Sequence, residues 1–152
     1  MKIWLLTHSE ELKKPSATGP LVKQHLIEEC EVITWSRVCP PKEILELPKD
    51  RTILVYLTDD TTKRALEDGA LSAEHIIVID GTWQQARKMY NQSPYLHDLK
   101  HYQIEGETSV FSKRRNQKDA GLCTAEVALH FLKKRQHPKT QLLQHSFHAF
   151  NQ

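Results

Sequence analysis

The chain has 152 residues, of which 39% are apolar and 26% charged; these are the proportions of a packed domain and exclude disorder, collagen-like and low-complexity structure. At that length one domain spanning residues 1–152 is expected, able to bury roughly 70% of its unfolded surface. The formal net charge of +2 hides an asymmetry: residues 1–110 carry 13 Lys/Arg against 17 Asp/Glu, and residues 111–152 carry 8 against 2. A polyanion is expected to meet the basic part first, unless that charge is only a solvated surface.

The first apolar run, Lys2–Thr7, reads as a buried strand, followed by a polar loop and a helix over Pro20–Glu29 with proline at its first turn. Glu31–Ser36 and Thr52–Leu57 read as further strands, the former cut off by Cys39-Pro40-Pro41. Thr58-Asp59-Asp60 has N-cap chemistry, so a helix is expected from there to Asp68, stopping at Gly69. His75–Asp80 (HIIVID) is an unbroken β-branched run of the kind buried on both faces in a parallel sheet. Thr82–Asn91 is then expected as a helix, Leu99–Ile104 as a last strand and Cys123–Gln136 as an amphipathic helix, with Gly106–Ala120 a long loop between them.

Such alternation predicts an α/β fold with a mainly parallel sheet flanked by helices. The apolar runs are far shorter than the roughly 20 residues of a membrane span, and no signal-peptide core follows Lys2, so a cytoplasmic protein without membrane contact is expected. Cys30, Cys39 and Cys123 show no C-x-x-C spacing, which argues against disulfides and thiolate zinc; His145 and His148 have i,i+3 spacing but no evident third ligand. No metal site is expected.

Ligands in open parallel sheets bind beyond the carboxyl ends of the strands. Asp80-Gly81-Thr82-Trp83 lies at such an end. The strand fixes a carboxylate, glycine allows close approach, and the helix start offers free N–H groups. Equally, Asp80 or Thr82 can be a helix cap and Trp83 a core anchor. Lys113, Arg114, Arg115 and Lys118 form a basic run that either grips an anion or is solvated charge. It adjoins a helix entry at Leu122-Cys123-Thr124, with Thr124 as N-cap and Glu126 suiting the dipole. Cys123 reads as a small buried thiol in preference to a nucleophile, since no base is apparent.

Four blocks in order resemble the DTW-domain family. Leu6–Lys14 with Thr18-Gly19-Pro20-Leu21 resembles its H-x-x-E and T-G-x-L segments, and Asp80–Met89 its D-G-T-W-x-x-A-x-K-M block, followed by Ser93-Pro94-Tyr95-Leu96. Ser109–Arg114 resembles S-x-Y-x-x-R with Phe111 for tyrosine, and Leu122–Val127 the L-C-T-x-E motif. The resemblance implies a tRNA-uridine aminocarboxypropyltransferase that moves the 3-amino-3-carboxypropyl group of S-adenosylmethionine to uridine N3 and releases methylthioadenosine. It also implies a SPOUT-like fold with a possible C-terminal knot. A cysteine-rich, zinc-binding segment that opens many members is not matched here, so a different RNA choice is expected.

On this resemblance Asp80 is the candidate general base. Arg114 holds either the carboxylate of the methionine tail or a tRNA phosphate. Cofactor contacts are expected from Leu57 and Thr58 after the third strand, from Gly81, Thr82 and Trp83 after the fourth, and from Leu122, Cys123, Thr124 and Glu126 at the last helix entry. Trp83 would stack on adenine or on the extruded base, and Lys113, Arg115 and Lys118 would contact RNA. Two rival readings keep the same residues: an S-adenosylmethionine-dependent RNA methyltransferase with the ligand turned, and a noncatalytic tRNA-binding module.

Overall fold

The structure, a computed structural model, describes residues 1–113 and 121–152. Five strands, β1 (Lys2–Thr7), β2 (Cys30–Thr34), β3 (Thr52–Val55), β4 (His75–Asp80) and β5 (Lys100–Tyr102), form one all-parallel sheet in the order β2-β1-β4-β3-β5. The two most apolar runs, β1 and β4, lie side by side at the centre with Thr7 paired to Asp80. Both of their faces are covered, which is why they read as unbroken apolar sequence rather than as alternation.

Among the described residues six α-helices flank the sheet: α1 (Gly19–Leu26), α2 (Lys42–Leu45), α3 (Glu67–Ser72), α4 (Trp83–Asn91), α5 (Thr124–Lys134) and α6 (Thr140–Phe150). The side-chain period of two sorts the strands between two cores. Ile3, Leu5, Ile76 and Val78 pack with Val22 of α1, Phe131 of α5 and Leu143 of α6, whereas Trp4, Leu6 and Ile77 pack with Ile44 of α2 and Met89 of α4. Thr7 and Asp80 continue the first series, so both point towards the α1/α5 layer.

The helix expected from Thr58 to Asp68 does not form. The Asp59 carboxylate instead accepts from Thr61 N (2.8 Å) and Oγ1 in a local turn. The chain then runs along the outer edge of β5, where His101 N donates to Lys63 O and Ala65 N to His101 O. An open strand edge thus outcompetes cap chemistry, because it satisfies backbone groups that a helix there would leave unpaired. Helix α3 starts only at Glu67 and contains Gly69 rather than ending at it. The α5 cap is Cys123, not Thr124, which is the first helical residue. Helix α6 and the short α2 were not expected. Among the described residues no helix is long and apolar enough to cross a membrane.

Among the described residues, part of the basic charge of residues 111–152 lies away from Asp80. Helix α5 runs from the Asp80 end of the sheet to the opposite end, where Arg135 donates to Ala70 O and Ala73 O (2.7 Å). Lys134 pairs with Glu67 at the same end. Lys134 and Arg135 therefore lie at the end of the sheet opposite Asp80.

Candidate functional site

Asp80 ends the central strand and is 5% exposed. Its Oδ1 accepts from Thr124 Oγ1 at 2.7 Å, and its Oδ2 lies 3.2 Å from Thr7 Oγ1. The α1 and α5 N-termini meet here, tied together by Ala125 N donating to Thr18 Oγ1 at 3.0 Å. Burial pushes the Asp80 carboxyl above the usual range, and the hydroxyls of Thr124 and Thr7 pull against it. Thr7 Oγ1 is also 3.2 Å from Leu5 O. Its one hydrogen serves a single acceptor. With Asp80 ionised it goes to Oδ2; with Oδ2 protonated, Asp80 donates to Thr7 and Thr7 to Leu5 O. The threonine hydroxyls thus accommodate both the ionised and the protonated carboxyl.

Gly19 is what permits this closeness. A Cβ there would stand 2.9 Å from Asp80 Oδ2, a carboxylate that buried hydroxyls hold in place. Gly19→Ala is expected to cost roughly 1–3 kcal/mol through overpacking, lowering the melting temperature by several degrees. A thermal melt indistinguishable from the parent would show that α1 moves away freely.

Beside Asp80 a half-open cleft of about 410 Å³ is lined by Thr7, Glu11, Leu12, Gly19, Pro20 and Gln24 among others. Across the strand end, Gly81 leads into α4. A side chain at Gly81 would press on Gln85, whose Oε1 accepts from Thr82 N (2.9 Å) while Thr82 Oγ1 accepts from Gln85 N (3.1 Å). Thr82 is therefore a cap in a reciprocal box. Gln85 Nε2 also donates to Glu10 at 2.8 Å, fixing the loop after β1. Trp83 is 46% exposed and is not a core anchor.

The remaining candidates separate. Leu57 is exposed just past β3, and Thr58 donates through N and Oγ1 to Gln103 Oε1. Leu122 packs at the rim of the larger core. Cys123 is 4% exposed and burial pushes its thiol up to about 12, as befits an inert thiol. Glu126 does not face the cleft: its carboxylate accepts from Ser109 Oγ (2.6 Å), Val110 N (2.9 Å) and Cys123 N (3.0 Å). Burial works to raise this carboxyl, the three donors outweigh it, and the net shift is downward. Asn151 grips the same segment from the other side, donating to Val110 O and accepting from Ser112 N. Lys113 lies over the Phe150 ring. Arg114, Arg115 and Lys118 lie outside the described residues. His145 and His148 are exposed on α6, and among the described residues no group of three or more His, Cys, Asp or Glu side chains is placed to hold a metal.

The sequence assigns no role to Thr7, Ser109 or Asn151, although Ser109 opens the S-x-Y-x-x-R block. The signal for Thr7 was available: it is the last strand residue on the same face as Asp80. The Glu126 and Asn151 contacts span 16 and 41 residues and had none.

The DTW domain family matches residues 1–152. The chain is also similar to tRNA-uridine aminocarboxypropyltransferase 2 of Drosophila melanogaster, 33% identical over 110 residues, which cover 68% of this chain and 43% of the relative. The chain thus matches less than half the length of that curated relative. No solved structure matches.

Proposed function

The chain belongs to the DTW-domain family, and on that premise we propose that it is a tRNA-uridine aminocarboxypropyltransferase, with residues 1–152 as one catalytic domain acting in the cytoplasm. The proposed donor is S-adenosylmethionine, bound without metal, and the acceptor is N3 of a tRNA uridine. The observation that carries the reading is the Asp80 carboxylate, buried at the end of a central strand, raised in pKa and forming a wall of the cleft.

S-adenosylmethionine supplies a methylene made electrophilic by its sulfonium. N3 bonds to that carbon, the carbon–sulfur bond breaks with its electron pair going to sulfur, and methylthioadenosine leaves. The N3 proton passes to Asp80. A carboxyl raised by burial is better matched to this weak acid than an exposed one, and its two hydroxyl partners hold the oxygens in place. Thr124 and Thr7 are positioning residues. Leu57 and Thr58 after β3, Gly81 after β4 and Leu122 and Thr124 at the α5 entry are assigned to the donor, and Arg114 either to its carboxylate or to a tRNA phosphate. A SPOUT-like kinship with a knotted C-terminal segment belongs to the same proposal; the all-parallel sheet and the return of the α5 entry to Asp80 support it.

Label position tests the reading. With unmodified tRNA, S-adenosylmethionine labelled in its carboxyl carbon is expected to label the RNA, and donor labelled in its methyl carbon is not. Incorporation of methyl label alone would establish the methyltransferase alternative.

A further inference from the structure

The α4 helix packs inward through Met89, which is fully buried. Its outer face carries Trp83, Gln84, Arg87, Lys88 and Asn91, all exposed, and these with Gln92 line a shallow concavity of about 410 Å³. Among the described residues that wall contains no carboxylate, although residues 1–110 are acidic as a whole. Neither the Arg87 guanidinium nor the Lys88 ammonium has an ion-pair or hydrogen-bond partner among the described residues. Gln92 Oε1 is shielded from solvent and accepts no hydrogen bond there either. A half-exposed indole beside two uncompensated cations and side-chain amides is the combination that single-stranded nucleic acid uses: stacking for the base, charge for the phosphates.

We propose that the outer face of α4 is the docking surface for the RNA strand carrying the target uridine, with Trp83 stacking on a base and Arg87 and Lys88 neutralising phosphates. This rests on the reading that the substrate is RNA. From Trp83 to Asn91 the helix advances about 12 Å, room for about three or four stacked nucleotides at 3.4 Å each. The face begins three residues after Asp80, so a strand lying on it leads to the sheet end where Asp80 is buried. The basic charge at the far end of α5 has no part in it.

The test is tRNA binding by anisotropy over a salt series, with S-adenosylmethionine affinity by calorimetry and circular dichroism to confirm folding. Arg87→Ala/Lys88→Ala is expected to flatten the slope of log affinity against log salt by about 1.4–1.8, raise KM for tRNA at least tenfold and leave donor affinity within twofold. Trp83→Ala is expected to weaken binding about tenfold at unchanged slope, with Trp83→Phe restoring most of it. Lys133→Ala/Lys134→Ala, at the opposite end, should leave the slope as it is. A parental slope in the Arg87/Lys88 variant, or equal flattening in both double variants, overturns the docking surface while leaving the transferase reading intact. Failure of the unaltered chain to bind tRNA at low salt overturns both.

Discussion

Asp80→Asn is expected to fold, to bind S-adenosylmethionine within twofold of the parent, and to transfer roughly 10²–10⁴-fold more slowly. A general base acts in the transition state, so its loss falls on kcat and not on ground-state affinity. Asparagine matches the shape of Asp80 and can still engage the Thr7 and Thr124 hydroxyls. Stability provides an independent check. The folded carboxyl is raised above its unfolded value, so ionisation opposes folding: the parent gains stability as pH falls through the folded pKa and gives it up as pH rises. The variant should lack that dependence and melt no lower than the parent at neutral pH. A folded variant with near-parental turnover would make Asp80 a structural residue.

Glu126→Ala is expected to be the most destabilising change near the site, costing about 3 kcal/mol, because it strands the Val110 and Cys123 amides and removes an α5 cap. For a chain of this size that is a melting-temperature loss of roughly 10 °C. The same carboxylate holds residues 109–113 against α5, so the segment that leads to Arg114 loses its anchor and transfer should fall even in the folded fraction. Here the linkage sign is opposite to that of Asp80. The folded carboxyl is depressed, so its contribution is present above the unfolded value of about 4.3 and is lost as pH falls through the folded value. Denaturant melts of parent and Glu126→Ala between neutral and acid pH should converge on the acid side; a constant gap would mean that packing, not charge, carries the effect.

The central strands are legible because burial on both faces leaves an unbroken apolar run, and the strand-end rule directs attention to Asp80. What escaped was set by distance along the chain. Thr58–Asp60 carries good cap residues, but the competing partner, the free edge at His101, is about 40 residues away. Helix α6 was hidden because Leu143, Phe147 and Phe150 sit among histidine, serine and threonine, poor helix formers held helical by packing on α1 and α5. Glu126 reads from sequence as a cofactor contact and as a first-turn charge. It is the second, but its larger work is a clamp on a loop that only the tertiary fold brings near.

The most direct measurement is the nucleoside left in solution when the protein is incubated with S-adenosylmethionine and unmodified tRNA after chelator treatment. The account predicts methylthioadenosine in one-to-one ratio with modified uridine, formed only when tRNA is present. S-adenosylhomocysteine in its place, or tRNA binding with neither product, would contradict it.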